Sequence, residues 1–479
     1  MMDFQQLKPS RDHSGPVYLQ LYRRYREAIA SGMLGPGDRV PSVRSLASAL
    51  NLARGTVETA YQMLASEGYF VTRGAAGTVV SPRLANLPDP AIAGARVPSG
   101  ADAWRAPQAA SGDVAPFQLG LPALDAFPRK VWARLAGRSV RALETAAMTV
   151  PDSAGYAPLR HAIAGYLGIS RGIVCAPEQV FVTPGYRGAL DLVCRALLEP
   201  GDAGWYEDPG YLFARECLTR AGMALTPVPV DDEGLNVKTG QQRAPKARFA
   251  VVTPTHQSPT GVALSLPRRL ELLAWAQDSR AWIIEDDYDS EFRYHGRPLP
   301  ALKSLDQNDR VLYTGTFSKV LFPGLRLAYL VVPRSQIARF RDIVIHMPGP
   351  GAILLQGMVA DFMEQGHFAR HLRKMRSLYA QRRGYLVDAL AQTFGERLLV
   401  QPQAGGIHVL AHLARGENDS ALAAAARARG LAVQALSDWR ARRGGQGGQG
   451  GLLMGFANFA SDAAALAAVT RLAAALPGD

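Results

Sequence analysis

The chain has 479 residues, 48% of them hydrophobic and 20% charged. Those proportions exclude a chain disordered throughout, and the length suits two to four domains of roughly 100–200 residues each. The formal net charge of +12 favours a polyanionic partner but excludes little by itself, since an arginine-rich composition gives the same excess.

From Tyr18 to about Ser31 the residues Leu19, Tyr22, Tyr25 and Ile29 recur with helical period. Gly32 and Gly35-Pro36-Gly37 break the chain. Pro41-Ser42 opens a second helix, which Ser42 can cap and which carries the stripe Val43, Leu46, Ala47, Leu50. After Asn51-Leu52 a third helix buries Val57, Tyr61 and Leu64 and ends at Gly68. Tyr69 to Val80 reads as two short strands around a glycine-bearing turn, a hairpin of the wing type. From Ser81 to about Ala115 the apolar period disappears, and Pro82, Pro88, Pro90, Pro98 and Pro107 mark an extended, partly stiff linker.

From Phe117 the pattern alternates between short apolar strands and helices. Val180-Phe181-Val182, Phe249 to Val252, Trp282-Ile283-Ile284 and Val311-Leu312-Tyr313 each run into a polar motif. This predicts an α/β fold with a mostly parallel sheet, covered on both faces, whose ligand site lies at the carboxyl ends of the strands. After about Arg341 a smaller, helix-rich α/β part follows, and the glycine-glutamine run Gly444 to Gly451 reads as a surface loop. Cys175, Cys194 and Cys217 form no metal-ligand spacing, so no metal site is expected, and their use fits a reducing compartment. No basic stretch leads into an apolar run at the N-terminus, and no apolar run approaches the roughly 20 residues of a membrane helix. A cytoplasmic protein without membrane contact is therefore expected.

Three short helices and a hairpin make a winged helix-turn-helix, whose third helix enters the major groove of double-stranded operator DNA. Arg54 and Thr56 stand at the start of that helix, where an arginine can read guanine and a threonine methyl can meet thymine. Ser42 and Arg44 at the second helix, and Arg73 with Gly74 at the wing, are candidates for phosphate or minor-groove contact. A solvated surface would explain any one of these arginines alone. The strings Pro41 to Ala47, Ala53 to Val57 and Glu67-Gly68-Tyr69 resemble the GntR family of bacterial regulators over roughly residues 15–80. Ala53 and Gly55 depart from that family, which carries Ser or Thr there, so a helix cap is expected to be missing.

A pyridoxal-phosphate (PLP) site needs a lysine, an acid for the ring nitrogen, a donor for the phenolic oxygen and a phosphate cup. Lys319 follows Ser318, a phosphate ligand by type, and Arg326 can pair with phosphate charge. Asp286 closes an apolar strand, suited to the ring nitrogen, and Tyr288 can bond the ring oxygen. Gly185-Tyr186-Arg187 opens a helix whose free N–H groups suit an anion, and Tyr211 can stack on a ring. Singly, Asp286 reads equally as a cap, Tyr211 as core and Gly185 as a turn; their joint order is what carries the reading.

These motifs resemble fold-type I aminotransferases over about residues 117–479. His256-Gln257-Ser258-Pro259-Thr260-Gly261, Glu285 to Phe292 and Gly315 to Lys319, behind a GntR-like head, resemble the MocR/GabR family of regulators. The resemblance implies a winged helix at 10–80, a linker at 81–115 and an aminotransferase-like PLP domain at 116–479, its larger part ending near 345. It implies PLP as a Schiff base on Lys319, a head-to-tail homodimer, and an effector that is an amino acid, an amine such as GABA or taurine, or PLP itself. Two departures bear on turnover. Ser258 stands where aminotransferases carry Asn, and Leu452 to Phe456 lacks the arginine that clamps a substrate carboxylate. Arg215, Arg440, Arg442 or Arg443 are the candidate substitutes. The expected function is a PLP-dependent transcriptional regulator; a working aminotransferase with a DNA-binding extension, or a DNA-binding protein whose enzyme-like part only dimerises it, are the alternatives.

Overall fold

The computed structural model describes residues 8–9, 15–74, 77–82, 114–143, 148–294, 299–413, 417–441 and 449–475. The chain divides into two compact units, residues 1–103 and 104–479. Most of the stretch read as a linker, and most of the glycine-glutamine run, lie outside the described residues.

The first unit holds helices α1 (Val17–Ala30), α2 (Val43–Leu50) and α3 (Arg54–Ser66). Ser42 caps α2, its Oγ accepting from the Ser45 N–H at 3.1 Å. Asn51 ends that helix in the left-handed region at φ 53°, which a short polar side chain tolerates. Ala53 precedes α3 without a side-chain cap, as its composition requires. The buried residues of α1 are Leu21, Tyr22, Tyr25 and Ala28; of the predicted stripe, Tyr22 and Tyr25 are buried and Leu19 and Ile29 are half-buried against the same core. Tyr25, Tyr61 and Phe70 meet edge-on at 5.1–5.6 Å between ring centres, and the two phenol oxygens lie 3.0 Å apart. Strands β1 (Phe70–Thr72) and β2 (Thr78–Val80) pair antiparallel. Arg39 bridges Val79 on the other side of β2, so a third short chain segment completes the wing sheet.

The second unit begins with α4 (Arg129–Arg141) and α5 (Ala157–Arg171), then β3 (Val180–Thr183), α6 (Tyr186–Leu197), β4 (Ala203–Asp208) and α7 (Leu212–Arg220). It continues through β5 (Ala224–Asp231), β6 (Gly234–Leu235), α8 (Val237–Arg243), β7 (Phe249–Val252), α9 (Leu266–Asp278), β8 (Trp282–Asp287), β9 (Val311–Thr316), β10 (Ala328–Val331) and α10 (Ile337–Val344). These strands form one sheet in the order β3-β10-β9-β8-β7-β4-β5-β6. The run from β9 to β5 is parallel; β10 lies antiparallel between β3 and β9, and β6 antiparallel to β5. Central strands are buried on both faces, which is why they read as unbroken apolar runs. Along β8, Ile283 packs into one core with Trp205 and Leu272, while Ile284 packs into another with Phe181, Leu190 and Leu312.

The remainder holds α11 (Ile353–Glu364), α12 (His367–Phe394), β11 (Leu398–Val400), β12 (His408–Leu413), α13 (Asp419–Ala428), β13 (Gln434–Ala435), β14 (Gly451–Gly455) and α14 (Asp462–Ala475). Its four strands make an antiparallel sheet in the order β11-β12-β14-β13. This sheet was not legible as strands, and Gly451, read as the end of a loop, opens β14. The segment before α4 ties into this part: Gly455 N–H donates to Phe117 O at 2.9 Å, and Ala432 N–H to Pro116 O at 2.8 Å. Among the described residues no helix is long and apolar enough to cross a membrane.

Candidate functional site

Parallel strands put their carboxyl ends at one edge, and polar residues collect there. Asp286 is buried near the end of β8, opposite Thr314 of β9 in the pairing register. Burial pushes its carboxyl up to about 8, while the Tyr186 hydroxyl favours the ionised form. That hydroxyl is itself buried without a well-aligned hydrogen bond. The flanking acids have structural partners. Glu285 accepts the Leu302 and Lys303 N–H groups, each at 2.8 Å. Asp287 forms an ion pair with Arg171 at 2.7 Å, both side chains almost wholly buried, and accepts the Tyr313 hydroxyl at 2.6 Å. Of the three consecutive acids, Asp286 is the one left to face the site.

Lys319 lies beyond β9. Its Nζ donates to Gly120 O at 2.9 Å. Its crowded surroundings lower the ammonium pKa, opposed by the charges of Asp289 and Asp286. Gly120 has φ +77°, and a Cβ there would stand 2.5 Å from the lysine nitrogen. The positive φ favours glycine here, and a larger residue would push against the lysine nitrogen; the contact has no local motif in sequence to announce it.

The helix end also forms as predicted. Gly185 precedes α6 at φ +85°, and a Cβ on it would lie 3.1 Å from Arg326 Nη2. Arg326, itself at φ +52°, thus brings its guanidinium to the N-terminus of α6, where first-turn N–H groups lack helical acceptors. The Arg187 guanidinium stacks over Phe213 at 4.7 Å. Ser318 follows Thr316, whose Oγ1 accepts the Ser318 N–H at 3.1 Å.

Tyr211 precedes α7, its ring 6.1 Å from that of Tyr186 and 6.0 Å from that of Trp439. Ser258 is buried and held by its N–H to Thr253 Oγ1 at 3.0 Å. Beneath it Glu207 accepts from Thr253 Oγ1 at 2.6 Å and from Gln257 Nε2 at 3.1 Å, which fixes the turn. Burial raises the Glu207 carboxyl to about 7 against these bonds. Tyr288 is half-buried, and its hydroxyl lies 2.9 Å from His256 Nδ1. His256 belongs to a readable motif, but nothing local in that motif assigns it a role.

Of the two arginines proposed for an effector, Arg215 donates from Nη1 to the main-chain O of Arg440 at 2.8 Å, a contact that does not involve the Arg440 guanidinium. Gly210 N–H donates to Trp439 O and Ala441 N–H to Asp208 Oδ1, so this segment lies across the loop that carries Tyr211. Arg442 and Arg443 lie outside the described residues. Leu452 to Phe456 are all buried, and none is an arginine.

On the first unit Arg54 is the first residue of α3, and Arg44 lies in the first turn of α2; both are exposed. Ser42 is spent on its cap, Thr56 is half-buried, and Arg73 and Gly74 stand exposed after β1. Arg73 N–H donates to Gly77 O at 2.8 Å, which closes the wing turn.

Comparison with known proteins matches residues 17–80 to bacterial regulatory proteins of the gntR family and residues 124–444 to aminotransferase class I and II. The probable rhizopine catabolism regulatory protein MocR of Rhizobium meliloti is 38% identical over 89% of this chain and 88% of its own length. The pyridoxine biosynthesis transcriptional regulator PdxR of Corynebacterium glutamicum is 33% identical over 95% of each. The α-aminoadipate aminotransferase LysN of Thermus thermophilus, solved with N-(5'-phosphopyridoxyl)-L-leucine, superposes with a TM-score of 0.67. It is 28% identical and covers 75% of this chain and 91% of its own.

Proposed function

The chain belongs to the MocR family of regulators, a GntR helix-turn-helix joined to an aminotransferase class I and II domain, and from that premise we propose how it senses. It is a DNA-binding transcriptional regulator whose fold is that of PLP-dependent enzymes. Our reading is that PLP is held at Lys319 and that its state, or an amino compound reacting with it, sets operator affinity in a homodimer.

The observation that carries this is the convergence at one sheet edge of Lys319, buried Asp286, the buried Tyr186 hydroxyl beside it and the Arg326 guanidinium over Gly185. These residues fit the cofactor's chemistry. Arg326, Ser318 and the N-terminus of α6 suit the phosphate. Asp286 suits the ring nitrogen: a carboxyl kept neutral by burial ionises when a protonated nitrogen comes beside it. Tyr288 and Ser258 suit the phenolic oxygen, and Tyr211 the ring face. When bound, PLP supplies a carbonyl that condenses with amines and a ring that withdraws electrons. The chain's own part is to hold it, exclude water and present Lys319 with its nitrogen fixed by Gly120.

We assign effector recognition to Arg215 and Arg440, whose contact lies beside the loop that carries Tyr211. The absence of arginine from Leu452 to Phe456 supports a sensor over a working aminotransferase. In the test, the purified chain is loaded with PLP, reduced with borohydride and digested. A pyridoxyl group on Lys319 supports the reading; an unmodified Lys319 with PLP present overturns it.

A further inference from the structure

We propose that His256 and Asp289 act as a pair that turns the Tyr288 hydroxyl outward as a donor to the cofactor's phenolic oxygen, His256 being a positioning residue. This rests on the reading that PLP is held at Lys319.

His256 is 7% exposed and Asp289 1%. The imidazole Nδ1 lies 3.2 Å from Asp289 Oδ2 and 2.9 Å from the Tyr288 oxygen. A carboxylate can only accept, so Nδ1 carries the ring proton and directs it between the two oxygens. Tyr288 therefore receives a hydrogen bond from His256, and its own proton is free for another acceptor. The ring is closely packed in this position. Gly406, at φ +90°, lets it pack on bare backbone, where a Cβ would stand 2.2 Å from His256 Cε1. The other ring nitrogen, Nε2, is buried without a partner, so the ring is held through Nδ1 alone.

Other groups also surround Tyr288. Asp289 itself, Asp286, near the end of β8, and Glu207, on β4, act on it through charge, and the Ser258 hydroxyl hydrogen-bonds to it in the sense that favours the ionised phenol, as a second donor that leaves the Tyr288 proton outward. Lys319 faces Asp289 and Asp286. From β12, His408 stands 5.6 Å from the His256 ring, its Nε2 donating to Pro259 O at 3.0 Å. Burial lowers its pKa to about 4, so it presents no charge to the pair near neutrality.

A hydroxyl donating to the phenolic oxygen stabilises that oxygen's anionic form, and so holds down the pH at which the bound cofactor's visible band titrates. The test is an absorbance titration of full-length PLP-loaded protein. His256→Gln puts an amide nitrogen where Nε2 stood and loses the Nδ1 donor. It should raise the apparent pKa of the band by about one unit, a tenfold change in acid dissociation. His256→Asn restores a donor near the Nδ1 position and should titrate close to the parent. Tyr288→Phe should shift the band as His256→Gln does, and the two together should shift it no further. The proposal is overturned if His256→Gln titrates with the parent, or if its full shift persists in Tyr288→Phe. A parent whose visible band does not depend on Lys319 overturns the cofactor reading itself; a Lys319-dependent band that His256→Gln leaves in place overturns only the pair.

Discussion

Lys319 Nζ and Gly120 O lie 2.9 Å apart across 199 positions of sequence. The contact joins the proposed cofactor lysine to the segment that enters the second unit. Phe117, three residues before Gly120, accepts from Gly455 of β14, so this one strand of chain touches the lysine and the small antiparallel sheet together.

Gly120→Ala should disturb the lysine directly. Alanine at φ +77° costs roughly 1–2 kcal/mol of backbone strain, and its Cβ would fall 2.5 Å from Nζ. The variant should fold but retain less PLP after gel filtration than the parent, read as the ratio of visible to protein absorbance. Retention equal to the parent would show that the lysine moves aside freely.

The ion pair of Arg171 with Asp287 is buried on both sides, and Arg171 Nη2 also donates to Thr255 at 3.0 Å. Removing one partner of such a pair leaves the other buried and uncompensated, at about 3–5 kcal/mol. Arg171→Leu should lower the stability of the second unit by that order in urea unfolding, with the helix content of the folded protein unchanged. A midpoint equal to the parent's would contradict the burial of the pair.

Asp286 gives a pH signature of definite sign. Its folded pKa is raised from 3.8 to about 8, so between those values the folded chain holds a proton that the unfolded chain releases. Its contribution to stability is therefore greatest below about pH 4 and falls as pH rises toward 8. In cofactor-free protein Asp286→Asn should raise the melting temperature at pH 8 and leave it nearly unchanged at pH 4, the two ends of that window. Equal effects at both would mean the carboxyl is not held neutral.

At the DNA end, Arg54→Ala should weaken operator binding by about 1–3 kcal/mol and relax one base position. Arg44→Ala should weaken binding to all sequences alike and flatten the salt dependence, if its contact is to phosphate. Competition binding at matched salt separates the two outcomes. Unchanged affinity for Arg54→Ala would displace α3 from the groove.

Much of this architecture could be read from local patterns. Ser42 before an apolar stripe marked the cap of α2, and Gly185 before Tyr186 marked the start of α6, because caps and turns depend on neighbours in sequence. On α1 the predicted Tyr22 and Tyr25 are buried, but Leu21 and Ala28 were not singled out, Ala28 being too small to announce itself, while the larger Ile29 stands partly in solvent. The sheet of β11 to β14 escaped notice for a different reason: β14 is buried at all five positions and β13 has only two residues, so neither alternates. Lys319, Asp286 and Tyr288 stood in readable motifs. Gly120, and the pairing of His256 with Asp289, did not, since each is defined by a contact made only after folding.

The central claim is that the state of the site at Lys319 reaches the DNA, and operator titration of the intact chain tests it most directly. Curves would be measured without cofactor, with PLP, and with PLP plus a panel of amines, for the parent and for Lys319→Ala. Coupling of this kind is typically about 1–3 kcal/mol, so the parent's curve should shift roughly 5–150-fold with PLP or with an amine added to it. Lys319→Ala should not shift. Superimposable parent curves under all three conditions would contradict the account and leave the aminotransferase-like unit with no part in sensing.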